Sequence, residues 1–159
     1  MKKLFFLLLS GILLLSLTAC GGGSREQPPS DFDPVSDINL IIEEDVPAFI
    51  MSEIDRESED QYAYQVEDVL YLVATMGEKP TSGYEITFVG YRENQDHTMD
   101  VFLETTEPAE DEAVLQVLTF PAAYARFYPD LPVFHVRFHI DGEMVNDLVV
   151  ETMEAPPGV

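Results

Sequence analysis

The sequence predicts a mainly β domain, a sandwich or small barrel of about seven or eight strands, with one N-terminal helix. Three observations point there. Apolar runs rich in Val, Ile, Tyr and Phe recur along the chain, several with strict two-residue alternation. Turn signals separate them roughly every 8–12 residues. A single helix-start signal stands near the beginning, where Asp45 closely precedes Pro47.

In chain order, residues 1–19 stand apart from the fold. Lys2 and Lys3 form a positive start, and an apolar run then extends to Leu17. It is too short and wrongly flanked for a spanning helix of about 20 residues, and reads as a cleaved export signal. Residues 20–36 are rich in Gly, Ser, Pro and acids without periodicity, as a flexible spacer is. Residues 37–68 supply a first strand at 38–42, a helix at 47–57 with Phe49, Ile50 and Ile54 on one face, and a strand at 62–66. The strand at 69–76 follows through Glu67 and Asp68.

Residues 69–152 hold the rest of the sheet structure, and 153–159 form a tail. In 84–91, Tyr84, Ile86 and Phe88 share one face; in 98–105, Met99, Val101 and Leu103 alternate with polar positions. The segment 107–112 is an acidic loop carrying Pro108, and 114–120 reads as a strand ended by Pro121. Strands at 134–140 and 144–150 flank Asp141-Gly142, a strong hairpin signal.

Charge narrows the partners. The chain has 8 Lys+Arg against 30 Asp+Glu, a net −22, and loss of Lys2 and Lys3 would take it to −24. Such a body repels phosphate backbones and anionic headgroups, so nucleic acid is excluded as a partner. Acidity permits weak calcium binding, yet residues 31–37 lack the Gly and distal Glu of a calcium loop, and a solvated tether is the commoner reading.

Catalytic patterns are missing. Neither Gly-x-Ser-x-Gly nor Ser-x-x-Lys occurs. His135 and His139 fall on a period-two segment, about 13 Å apart at ~3.3 Å per residue, too far to share one metal ion. They are expected on the polar face beside Arg137, with His97 in a turn. The reading is non-enzymatic, with no metal and no cofactor.

The most informative stretch is residues 77–84. Two glycines and a proline between apolar runs make it a shaped loop. Lys79, Pro80, Thr81, Ser82, Gly83 and Tyr84 are the candidate protein-binding residues. Lys79 would offer a rare positive charge and Tyr84 a rigid amphipathic contact. For Tyr84 itself the inward reading, packed with Ile86 and Phe88, is the stronger, which leaves Lys79, Thr81 and Ser82 as the exposed candidates.

Two stretches carry resemblances. Leu17-Thr18-Ala19-Cys20 resembles the lipobox of bacterial lipoproteins, which implies cleavage before Cys20 and acylation of its thiol. No second cysteine is present to pair with it. The implied location is extracytoplasmic, anchored to the lipid bilayer of a bacterial membrane through acylated Cys20. Residues 69–126, through the strand leading into Gly77-Glu78-Lys79-Pro80-Thr81-Ser82-Gly83-Tyr84, Thr106-Glu107-Pro108 and Val117-Leu118-Thr119-Phe120-Pro121, resemble the PrcB C-terminal domain family. That family takes its name from a lipoprotein subunit of a bacterial surface protease complex. Ser82 stands where the family usually has the first of two glycines, and Ala122 where an aromatic is common. The resemblance implies a non-enzymatic partner of an exported protein, a protease foremost. Pro80-Thr81-Ser82-Gly83-Tyr84 is also similar to one loop of chagasin-like protease inhibitors, an alternative function. A small-ligand-binding lipoprotein is a third, and would need a concave apolar pocket with converging polar groups.

Overall fold

The computed structural model describes residues 33–34 and 39–156. Cys20, the export signal and most of the spacer lie outside the described residues.

The described residues form ten strands, more than the seven or eight expected, and the longer ones are built on apolar side chains. The first six are β1 (Asp33–Pro34), β2 (Asn39–Ile41), β3 (Gln61–Val66), β4 (Val69–Thr75), β5 (Glu85–Glu93) and β6 (Thr98–Thr106). After them come β7 (Ala122–Phe127), β8 (His135–Ile140), β9 (Glu143–Val149) and β10 (Glu151–Thr152). They form two five-stranded sheets with no strand in common, ordered β1-β5-β6-β8-β9 and β10-β3-β4-β7-β2. Both sheets are mixed: β6 with β8 and β10 with β3 are parallel, and the other neighbours antiparallel.

One core joins the sheets. Phe88, Met99, Val101, Leu103, Val136 and Phe138 from the first meet Leu70, Leu72, Ala74, Ala125 and Phe127 from the second. Fully burying an aliphatic or aromatic side chain contributes roughly 1.5–3 kcal/mol, so these alternating positions outweigh any local preference. Tyr91 and Phe127 bridge the layers with ring centroids 4.6 Å apart. A second cluster covers the outer face of the β3-β4-β7 sheet, where Val46, Ile50 and Ile54 pack on Tyr64, Val66, Tyr71, Val73 and Tyr124.

That cover corrects one expectation. The helix runs only over α1 (Ala48–Met51), one turn, instead of 47–57. Beyond it the side chain of Asp55 accepts the backbone N–H of Glu57 at 3.0 Å, and the Tyr62 hydroxyl accepts that of Asp55 at 3.0 Å. A side chain that satisfies its own neighbouring backbone offers the chain an alternative to another helical turn. The apolar residues still reach the sheet, from a turn-rich segment.

The second correction concerns residues 114–120, which form no strand. The strand lies one step later, at β7, where Ala123, Tyr124, Ala125 and Phe127 are buried. Small residues at 123 and 125 fit a strand flanked by β4 and β2. The hairpin at Asp141-Gly142 forms as expected, with φ of 51° and 88°, the left-handed pair a tight two-residue turn requires.

Strand direction gives the molecule two distinct ends. The crossovers 76–84 and 107–121 lie at one end, beside Thr75, Glu85, Thr106 and Ala122. At the other end are the turn 94–97, the crossover 128–134 and Asp33, which pairs with Tyr91 as the chain enters the first sheet. Among the described residues, three of the four sheet edges are strands of two or three residues. The fourth, β9, carries a bulge: Asn146 faces Phe138 while Met144 faces His139, leaving Val145 extra.

Candidate functional site

The loop 77–84 does not stand alone. Its main chain is zipped to the crossover 107–121. Lys79 and Thr119 exchange both backbone hydrogen bonds, at 2.9 and 3.0 Å. Ser82 donates its N–H to the Leu115 carbonyl at 3.0 Å, and its hydroxyl accepts the Leu115 N–H at 3.0 Å. The Thr119 hydroxyl donates to the Thr81 carbonyl at 2.8 Å. Nearby, Met76 donates to the Pro121 carbonyl at 2.9 Å. Two loops without regular structure thus hold each other in one shape.

Two glycines make the approach possible. Gly77 has φ of 67°, and a Cβ there would lie 3.0 Å from the Glu57 carbonyl oxygen. Gly83 has φ of 95°, and a Cβ there would meet Pro108 at 3.0 Å and Val114 at 3.3 Å. Both positions demand a left-handed backbone and the absence of a side chain.

The six candidates therefore divide by role. Pro80 and Gly83 are exposed, and Lys79, Thr81, Ser82 and Tyr84 are half-buried. Tyr84 packs against the core, the inward alternative for this residue. The Lys79 ammonium lies over the Tyr84 ring, 5.7 Å from its centroid, so the charge is held instead of swinging free. Ser82, through its hydroxyl and N–H, and Thr81, through its carbonyl, brace the second loop.

What the brace presents is an apolar tip. Leu115 is 71 % exposed, Leu118 57 % and Val117 49 %. Glu107, Glu110, Asp111 and Glu112 are exposed in the same crossover. The expectation of a strand over 114–120 hides this tip. The available signal was that apolar residues stand at 114, 115, 117 and 118, too many for a strand with one wet face.

A polar cluster lies on the outer face of the other sheet. Asp100 is only 2 % exposed. Its Oδ2 accepts from Arg92 at 3.0 Å and Asn94 at 2.9 Å, while Oδ1 meets Arg137 Nε at 2.9 Å and His139 Nε2 at 3.0 Å. Burial pushes the Asp100 pKa up, but hydrogen bonds from Asn94, His139 and Arg92 and the charge of Arg137 outweigh it, holding the carboxyl below its usual range. Both oxygens are saturated, so the group braces the sheet and has no free lone pair aimed at a substrate. His135 instead faces Asp147 at 3.4 Å, and His97 Nδ1 meets the Pro132 carbonyl at 2.9 Å. The three histidines thus serve three separate contacts. Among the described residues no group of three His, Cys, Asp or Glu is arranged to hold a metal ion, and no helix is long and apolar enough to cross a membrane.

An open cleft of about 320 Å³ lies between β2, β5 and β7, lined by Ile41, Ile86, Phe88, Ala123 and Tyr124 among others. Its lining is mainly apolar, with Glu43 and Thr87 the charged and hydroxyl side chains in it.

Comparison with known families places a match on the segment that contains the zipped loops. Residues 70–127 match the family model described as PrcB C-terminal. The match starts in β4, spans both crossovers and ends with β7. No curated protein and no solved structure gives a significant match.

Proposed function

We propose that the PrcB C-terminal-like segment is a docking module of a non-enzymatic, exported lipoprotein, and that its partner is a protein of an exported protease system. The observation that carries this reading is the zipper between residues 79–82 and 115–119, which presents Leu115, Val117 and Leu118 to solvent. An apolar tip costs little to bind when its backbone is already fixed, because few degrees of freedom are lost on docking. The acidic residues beside it favour a partner with an apolar pocket and a basic rim. Lys79, Pro80, Thr81, Ser82, Gly83 and Tyr84 contribute chiefly by shaping this surface, with Pro80 its exposed member.

The anchor in this reading is Cys20, acylated outside the cytoplasmic membrane. Membrane attachment would then come from lipid, since a body of net −22 gains nothing from anionic headgroups.

The test is crosslinking and pull-down of the native protein from its own membranes, with mass spectrometry, beside Leu115→Asp/Leu118→Asp. Recovery of an exported protease subunit by the wild type, lost in the double variant, is the expected result. Equal recovery by both would move the interface off the tip. Recovery of no envelope protein by either would remove the docking reading. Stoichiometric slowing of the recovered protease by the added protein would favour the chagasin-like alternative over an assembly subunit.

A further inference from the structure

The end of the molecule opposite the zipped loops carries its own exposed apolar group. In the crossover 128–134, Tyr128 is 55 % exposed, Leu131 48 % and Phe134 56 %. The segment is braced. Phe134 donates its N–H to the His97 carbonyl at 2.8 Å and accepts the Val150 N–H at 2.9 Å. Its ring lies 5.0 Å from that of His97, whose Nδ1 meets the Pro132 carbonyl. Val133, next to Phe134, is buried in the core and pins the segment to the sheets. With Phe134 held in this way, one tyrosine, one leucine and one phenylalanine within seven residues have the make-up of a surface seated at a lipid–water boundary, where amphipathic rings are favoured.

The course of the chain identifies what covers it. Asp33 pairs with Tyr91, close to the turn 94–97 that underlies Phe134. The chain therefore enters the fold at this same end. Twelve residues separate Cys20 from Asp33, and fully extended they span about 45 Å, with a compact coil much shorter. An acyl group on Cys20 would tether the molecule by this end, and a seated patch beside the entry point would turn that tether into an orientation.

We propose that Tyr128, Leu131 and Phe134 form a membrane-seating patch that rests in the headgroup region, orienting the zipped loops away from the bilayer. The proposal rests on the lipid-anchor reading of Cys20 and goes beyond it by fixing the orientation. Exposed Asp130 and Asp96 border the patch, so the matching surface is zwitterionic, and anionic headgroups are repelled.

The chain contains no tryptophan, so an introduced indole is a clean reporter. The experiment places the full acylated chain in phosphatidylcholine vesicles, with and without brominated acyl chains, carrying Phe134→Trp, Leu131→Trp or Leu115→Trp singly. Flotation reads the anchor separately from the seating. The expected result is co-flotation of all three, with emission at positions 134 and 131 reduced about twofold by brominated lipid and that at 115 unchanged. Two reporters on the patch guard against one that perturbs folding. Co-flotation with no quenching at 134 or 131 would overturn the patch while leaving the anchor standing. Quenching at 115 alone would reverse the orientation and overturn it too. Failure to float would refute the anchor, and with it the seating.

Discussion

Gly83 and Asp100 show how single residues set this structure. Gly83 combines a left-handed backbone with a gap that Pro108 and Val114 fill from the other loop. Gly83→Ala should therefore destabilise by roughly 1–3 kcal/mol through backbone strain and crowding. Thermal unfolding reads the loss, and faster proteolytic cleavage within 107–121 would show that the two loops have parted. Asp100 gives a pH dependence with a definite sign. Its folded pKa is depressed, so its contribution is present above the unfolded value near ~3.9 and is lost as pH falls through the folded value. Asp100→Asn should cost about 2–3 kcal/mol at neutral pH, because Arg92, Arg137 and His139 lose a shared carboxylate. The difference from wild type in denaturant unfolding should shrink toward zero as the wild-type carboxylate protonates in acid. A constant difference across pH would mean the loss is one of shape and not of charge.

At the scale of elements, the crossover 107–121 behaves as a dependent of the loop 77–84. Ser82→Ala removes one of its bonds, and Thr119→Val another. Each single variant is expected to cost about 1 kcal/mol, and the pair to loosen residues 115–119 by more than either alone. Amide hydrogen exchange checks this, with the rise confined to the two crossovers. The elements also show what could be read from sequence. Strands β4, β5, β6, β8 and β9 were legible because inward Leu72, Phe88, Val101 and Phe138 sit at period-two positions beside strong turn signals such as Asp141-Gly142. The strand before β8 was not. Residues 114–120 have the composition of a strand but no neighbouring strand to accept them, whereas 122–127 are modest β formers that β4 and β2 pair on both sides. Pairing partners are a tertiary property, and no local pattern encodes them. The helix over 47–57 failed similarly, since Asp55 bonds its own neighbour's N–H. Of the candidate site, the shaped loop was legible from Gly77, Pro80 and Gly83; that it serves chiefly to hold another loop was not.

For the whole molecule, polarity is the organising property: the chain enters at one end, and the two zipped crossovers close the other. On the lipid-anchor reading, Cys20→Ser should release the protein from membranes into the soluble fraction, read by fractionation. On the lipid-anchor reading the same polarity bears on spacing, since the twelve residues between Cys20 and Asp33 would leave the body near the bilayer. The sheet edges then acquire a meaning beyond architecture. Proteins confined to a surface meet one another far more often than in free solution, and an open strand edge would let them polymerise. Among the described residues, three edges are strands of only two or three residues, and the fourth, β9, is interrupted by the extra Val145. On that strand the Asp147 N–H is already taken by the side chain of Asn146 at 3.1 Å. On the lipid-anchor reading, crowding on a membrane should leave this protein as separate molecules, checked by crosslinking of the vesicle-bound chain.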